Sequence, residues 1–257
     1  AIARLLAGVP FVGKPFTISE YNHPFPNRYQ TEGVLFLTAY CAFHDADGYM
    51  FFDYPTSHDD WETDQIGGYF AQNRNTAMMA LMPSCARAFR QGVIQPAQQT
   101  ILLNFSEEDI LSLPKYDDRW WAGPRLYSEK LALLHAVRSE SFNSAANLNP
   151  STLPGEPNSP YIADTGEIEW DTDGLLHVQT DQFIAAAGFL SQFRDKTIGA
   201  LKLLDASDFA TLTWVSLSDS SLRQAPRSLL TLSSRVQNTG MVWDGTTTVH
   251  NRWGAAP

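Results

Sequence analysis

Five residues in the first quarter of the chain carry the side chains that a site for a polar substrate needs: carboxylates, neutral hydrogen-bonding groups and an aromatic ring. They are Glu20, Asn22, His23, Asp53 and Tyr54. The first three end or follow the apolar run 16–19, the last two follow the run 49–52, and both runs are typical of short buried strands. A carboxylate at the end of a buried strand is partly desolvated and rigidly held, which suits a nucleophile or an acid/base.

Glu20 is the strongest candidate, and its position alone allows two interpretations. It could act in catalysis, or it could form an ion pair with a loop arginine such as Arg28. The neighbouring Tyr21, Asn22 and His23 favour a site, because an aromatic face combined with neutral hydrogen-bonding groups can hold sugar hydroxyls. These residue types around Glu20 predict a site for a neutral, hydroxylated ligand.

The elements that position these residues alternate between strand and helix. Apolar spacing predicts a helix over residues 29–44, between the two strands, and a second helix over 76–90. Such alternation predicts parallel βα units, whose ligand sites lie beyond the carboxyl ends of the strands. We therefore expect residues 1–94 to form one unit that carries Glu20 and Asp53.

From residue 95 onward the pattern changes to strands separated by polar turns. Segments that match strands are 97–106, 167–180, 196–204, 209–217 and 227–236. Residues 127–139 have helical spacing, and residues 171–174 match a hairpin turn. Residues 95–257 are thus predicted to form an antiparallel β-sandwich with one helical insertion.

Charge and composition exclude several classes of partner. The formal charge is −10 and the 18 Lys and Arg residues are spread along the chain, which argues against nucleic acid or an anionic membrane surface. The sequence contains no run of about 18 apolar residues, so no membrane span is predicted. Two cysteines, Cys41 and Cys85, cannot build a disulfide framework or a thiolate zinc site. A neutral substrate fits better than a charged one.

Several motifs occur in an order that resembles a known family. KPFTISEYNHPFPN (14–27), a helix and then DGYMFFDY (47–54) look like the last quarter of the barrel of a clan A glycoside hydrolase. There, strand seven ends in the nucleophilic Glu and strand eight closes the ring. The segments ALMPSCARAFRQGVIQPA (80–97), DTGEIEWD (164–171) and SSRVQNTGMVW (233–243) extend the resemblance to bacterial cellulase-like hydrolases.

The resemblance implies both a fold and an activity. The fold would be the last βα units of a TIM-type (β/α)8 barrel followed by an antiparallel β-sandwich. The activity would be that of a retaining glycoside hydrolase acting on a β-linked oligo- or polysaccharide, with Glu20 as nucleophile and no cofactor or metal. Asn22, His23, Asp53 and Tyr54 would shape the sugar subsite.

The same resemblance places the acid/base Glu on an earlier barrel strand, which would lie N-terminal to Ala1. Carboxylates of this chain that could replace it are Asp53, Asp59, Asp60 and Glu62. We therefore expect a C-terminal portion of a longer enzyme, whose uncovered strands associate with a missing barrel portion or with a second copy. An export signal would lie in the missing part, and a secreted or periplasmic location is favoured.

Two other classes of function stay open. The chain could be a non-catalytic carbohydrate-binding or assembly module, or a hydrolase or esterase with an unidentified serine nucleophile. Asp164-Thr-Gly matches the aspartic-protease triplet, but it occurs once and predicts a turn. Residues 44–47 and 58–60 contain His and Asp without metal-site spacing, which predicts solvated charge.

Overall fold

The structure is a computed structural model that describes residues 2–54, 64–112, 127–142, 153–193, 195, 197–204 and 208–241. Its α-helices in these ranges are α1 (Ile2–Leu6), α2 (Glu32–Phe43), α3 (Thr76–Arg90) and α4 (Glu107–Ser112). Short 3-10 helices cover Glu129–Leu133 and Leu190–Phe193. None of the helices in the described ranges has the length and apolarity needed to cross a membrane.

The strands fall into one large sheet and three pairs. Those outside the large sheet are β1 (Thr17–Tyr21), β2 (Gly48–Phe51), β3 (Thr100–Asn104), β4 (Ala136–Ser141), β9 (Thr197–Ile198) and β10 (Leu201–Lys202). Those of the large sheet are β5 (Tyr161–Ile162), β6 (Ile168–Trp170), β7 (Leu175–Gln179), β8 (Phe183–Phe189), β11 (Phe209–Ser216) and β12 (Ser228–Ser233). β1 pairs with β2 and β3 with β4 in parallel, whereas β9 and β10 form a hairpin.

The large sheet is antiparallel throughout, in the order β12-β11-β8-β7-β6-β5. Side chains of β8 alternate between its two faces: Phe183 and Ala185 belong to the main core, and Ile184 and Ala186 to a smaller cluster. The main core lies between the sheet and the helices. The smaller cluster includes Ile198 and so lies under the β9–β10 hairpin. The sheet therefore has a helical layer on one face and a hairpin on the other.

Helix α2 lies at the centre of the molecule. Every residue from Gly33 to Phe43 is buried, and a helix that is apolar on all sides must be covered on all sides. It contacts β8 and β11 of the large sheet, β2 of the parallel pair, and the neighbouring helix α3. α2 thus joins the β1–β2 pair to the antiparallel sheet.

Three polar contacts fix the helical layer to β11. The Ser84 hydroxyl lies 2.6 Å from the Thr213 hydroxyl. The Thr211 hydroxyl donates to Thr31 Oγ1 at 3.1 Å. Arg87 Nε donates to the carbonyl of Ser216 at 2.6 Å. Because buried polar groups are costly without partners, these contacts restrict how α2 and α3 can sit on the sheet.

The predicted fold class is wrong. In the described part of the chain parallel strands occur as two separate pairs, not as successive units of a (β/α)8 barrel. The antiparallel region is one six-stranded sheet, not a β-sandwich, since helices cover one of its faces. The physical reason lies in α2: an outer barrel helix keeps a polar face toward water, and α2 has none.

The helix predicted over residues 127–139 is also wrong. A short 3-10 helix covers Glu129–Leu133, and Ala136–Ser141 is strand β4, which pairs with β3. Strand β3 provides hydrogen-bond partners for the backbone of β4, and Val137 of β4 packs in the main core. Tertiary pairing here outweighs a local helical spacing.

The division between residues 94 and 95 stays a prediction. The main core contains side chains from both sides of it, including Leu37 of α2 and Phe183 of β8. The described residues on the two sides therefore share buried surface.

Candidate functional site

The ends of β1 and β2 bring together most of the predicted site. These strands are neighbours and run in parallel, so the residues that follow them meet at one edge, as expected for βα units. Tyr21 lies opposite Phe51, which places Asn22 beside the segment that leads to Asp53 and Tyr54. We call this region the β1–β2 edge, defined by residues 20–23, 52–54 and 69–72.

A β-bulge in β1 turns Glu20 outward. Ile18 pairs with Tyr49 and Tyr21 pairs with Phe51, so two residues of β1, Ser19 and Glu20, lie opposite the single residue between them on β2. Ile18 and Tyr21 are both buried, whereas Ser19 and Glu20 are both exposed. Bulges commonly re-aim side chains near functional sites. The Glu20 carboxylate is therefore accessible to a ligand.

Asn22 ties the two strand ends to the segment that contains Phe70. Its Nδ2 donates to the carbonyl of Phe52 at 2.6 Å and to the carbonyl of Phe70 at 3.0 Å. The amide of Asp53 also donates to the Phe70 carbonyl, at 3.1 Å. These bonds hold the backbone of the β1–β2 edge in place.

Two oxygen atoms at this edge are buried without a hydrogen-bond partner among the described residues: Oδ1 of Asn22 and Oδ1 of Asp53. Such acceptors are uncommon because their desolvation is not repaid within the protein. Both atoms have almost no surface open to solvent, so a donor such as a sugar hydroxyl or a water molecule reaches them only when neighbouring side chains move aside. The two oxygens mark the polar part of the candidate site.

Exposed aromatic rings accompany these acceptors. Phe52 and Phe70 are exposed, and their rings lie 5.5 Å apart in an edge-to-face arrangement. Tyr54 and Tyr69 are also exposed. Flat apolar rings can pack on the C–H face of a sugar. Tyr69 and Phe70 were not among the predicted residues, although adjacent aromatics in a polar loop were a usable signal.

His23 is the residue of the edge that contacts helix α2. Its Nε2 is 3.0 Å from the Tyr21 hydroxyl, and its Nδ1 is 3.8 Å from Oε1 of Glu32. Its ring also packs against Gly33, where an added Cβ would be 2.8 Å from a ring carbon. These contacts of His23 therefore connect the β1–β2 edge to helix α2.

Burial sets the protonation of this pair. It lowers the pKa of His23 to about 4 and raises the pKa of Glu32 to about 7. Near neutral pH the imidazole is uncharged and the Glu32 carboxyl holds its proton in much of the population. Sequence reasoning missed Glu32, since a Glu in the first turn of a helix is ordinarily explained by the helix dipole.

The remaining predicted groups have structural contacts. Asp164 accepts hydrogen bonds from the amides of Gln98 and Gln99 and lies 2.9 Å from Nδ1 of His135, as expected for a turn. Asp47 accepts from the Phe16 amide at 2.8 Å. The described ranges contain no group of three or more His, Cys, Asp or Glu that could hold a metal ion. Residues 58–60 and Glu62 lie outside the described residues.

No family model, curated protein or solved structure matches this chain. The class of the site therefore rests on the geometry of the β1–β2 edge, and the resemblance to glycoside hydrolases stays an expectation.

Proposed function

We propose that the β1–β2 edge binds a β-linked saccharide and that Glu20 is the nucleophile of a retaining glycoside hydrolase. One observation carries the proposal: the β1–β2 edge combines an exposed carboxylate, two acceptor oxygens without a partner and a set of exposed aromatic rings. A neutral, hydroxylated ligand with an apolar face satisfies all three features. Its neutrality also suits a chain of formal charge −10.

The reaction needs two carboxyl groups. Glu20 attacks the anomeric carbon while the bond to the leaving oxygen breaks, and water then hydrolyses the glycosyl-enzyme. An acid/base at roughly 5 Å must protonate the leaving oxygen and later activate the water. Asp53 follows the strand paired with β1 and is thus the described carboxylate to test first. The other carboxylates considered above lie outside the described residues.

Replacing Glu20 provides the test. We expect Glu20→Ala to lower kcat on an aryl β-glycoside by about 1,000-fold or more, because the bond to the anomeric carbon is no longer formed. An activated leaving group, such as dinitrophenolate, isolates this step from the need for an acid. Ser19→Ala is the matched control, since Ser19 shares the bulge and its exposure but carries no carboxylate.

Azide distinguishes a nucleophile from a structural residue. In Glu20→Ala it should restore turnover and release a glycosyl azide of inverted configuration, because azide attacks from the vacated position. Near-normal turnover of Glu20→Ala without azide would remove Glu20 from the mechanism.

A second candidate function is non-catalytic saccharide binding. The exposed rings of Phe52 and Phe70 favour it, since a binding platform needs no acid/base partner. Under this alternative Phe70→Ala weakens binding of a β-linked tetrasaccharide, Glu20→Gln leaves binding unchanged, and no variant or parent hydrolyses the sugar.

A further inference from the structure

A separate cleft of about 820 Å³ lies where the end of α3 meets the large sheet. Its walls are residues 91–93 and Gln95 after α3, Glu167 before β6, the β7–β8 turn with the adjoining strand ends, the turn of the β9–β10 hairpin, and residues 221–223. It shares no residue with the β1–β2 edge. Its volume is within the range of about 300–1,000 Å³ found for small-molecule sites. We call it the α3–hairpin cleft.

Neutral hydrogen-bonding side chains dominate its lining. They are Gln91, Gln95, Gln179, Gln182, Thr180 and Ser221. Amides and hydroxyls both donate and accept, which matches the behaviour of sugar hydroxyls. Buried Val93, Ile184 and Leu222 provide an apolar floor. The lining is therefore suited to a ligand with polar edges and an apolar face.

Two carboxylates add stronger acceptors. Oε2 of Glu167 accepts from the Gln95 amide at 2.7 Å, which fixes the direction of that side chain. Burial, together with the negative charge of Asp181, raises the pKa of Glu167. One cation, the exposed Arg223, is part of the lining. The local charge disfavours an anionic ligand.

The walls are held in place by backbone contacts. The amide of Leu222 donates to the carbonyl of Asp181 at 2.8 Å, which joins two of the turns. Gly199 has φ of +56°, and a Cβ there would lie 2.9 Å from Cδ1 of Ile184. The hairpin therefore sits against the sheet as only glycine permits. A pre-formed cleft lowers the ordering cost of binding.

We infer that the α3–hairpin cleft is a second saccharide-binding site, which holds a neutral sugar through amide, hydroxyl and carboxylate side chains. The class of ligand rests on the proposed function, whereas the cleft and its lining do not. The site would give the chain a second point of attachment to the same oligosaccharide or polysaccharide. Two linked sites raise the effective affinity of the protein for a long polysaccharide without any new contact.

The test counts binding sites by calorimetry in the full chain carrying Glu20→Gln, so that bound sugar is not cleaved. The probes are β-1,4-linked tetrasaccharides of glucose, mannose, xylose and galactose. We expect two molecules per chain. Ala200→Trp should reduce this to one, because Ala200 is an exposed cleft residue and the indole would fill the space. Ala200→Ser is the matched control and should keep two.

A gentler pair of variants guards against misfolding of the tryptophan variant. Glu167→Gln can still accept from the Gln95 amide, and Asp181→Asn changes an exposed side chain. Each should weaken the second site by about tenfold, as expected for a lost charge-assisted hydrogen bond. An unchanged unfolding midpoint confirms that the fold is intact.

The outcomes separate the two proposals. Binding that Ala200→Trp abolishes, without hydrolysis or azide rescue at Glu20, supports the cleft and refutes the reaction. A single site that is insensitive to Ala200→Trp but lost in Phe70→Ala overturns the cleft and keeps the β1–β2 edge. Binding of a diamine such as putrescine in place of the sugars, or no saccharide binding at all, also overturns the cleft inference.

Discussion

At the scale of single residues, His23 and Glu32 form a pair in which burial opposes charge on both members. The side chains are 20% and 30% exposed, so desolvation acts on each. Burial lowers the pKa of His23 from 6.5 to about 4, and stability is lost as the pH falls through that window. Burial raises the pKa of Glu32 from 4.5 to about 7, and stability is lost as the pH rises through that window.

The two effects largely cancel in the parent where the two windows overlap, from pH 4.5 to 6.5, and single variants should reveal them. Relative to the parent, Glu32→Gln should gain free energy of unfolding as the pH rises from 4.5 to about 7, since it lacks the carboxyl that must ionise. His23→Gln should gain it as the pH falls from 6.5 to about 4. The slope approaches about 1.4 kcal/mol per pH unit at most.

Urea unfolding at half-unit pH steps measures both curves. A charged His23–Glu32 ion pair would give the opposite result. Both variants would then be less stable than the parent in the pH range where the two parent side chains are charged together.

Gly33 is the second residue-scale test, since it lets His23 approach helix α2. A Cβ there would be 2.8 Å from the imidazole, so Gly33→Ala should cost about 1–3 kcal/mol through overpacking, despite its better helix propensity. Gly48→Ala is the control, because its Cβ would be 3.7 Å from the nearest atom, in Thr17. Equal urea midpoints for the two variants would show that the ring moves aside without cost.

At the scale of elements, the contact between α3 and β11 includes one buried hydroxyl pair. Ser84 and Thr213 are fully buried, and their oxygens lie 2.6 Å apart. Ser84→Ala and Thr213→Val should each cost about 1–3 kcal/mol, because each leaves a buried hydroxyl with a partner removed.

The double variant checks the coupling between the two elements. Ser84→Ala with Thr213→Val should cost less than the sum of the single changes, since neither hydroxyl then remains to be satisfied. Additive costs in urea unfolding would mean that the two groups do not depend on each other for stability.

At the scale of the whole molecule, the buried core joins the two sequence halves. Leu37 and Phe183 belong to the same cluster, and α2 is covered by strands from both halves. We expect residues 1–94 not to fold alone. The fragment 95–257 should keep strand signal by circular dichroism but bind an apolar dye, because the face that α2 and α3 cover would be open.

Co-expression of the two fragments is the control for this prediction. Reassociation should bury the same face and abolish dye binding. A fragment 95–257 that is monomeric and dye-free would support an independent second domain. Association of the chain with a second copy stays a separate prediction, and exposed Met50 and Phe52 on and next to strand β2 are where it would be sought.

The sequence by itself determined the local elements and one functional edge. Helix α3, the parallel β1–β2 pair and the hairpin at residues 171–174 were predicted, because side-chain periodicity and turn chemistry act over a few residues. The position of Asn22 beside the segment that leads to Asp53 followed from the parallel pairing.

Only the tertiary structure decided how these elements form layers and which groups are desolvated. The burial of α2 between two sets of strands, and the conversion of residues 136–141 into a strand, depend on partners distant in sequence. The shifted pKa values of His23 and Glu32 arise in the same way, because desolvation is a property of the packed surroundings and not of the residue types. The α3–hairpin cleft likewise exists only where five separate segments meet.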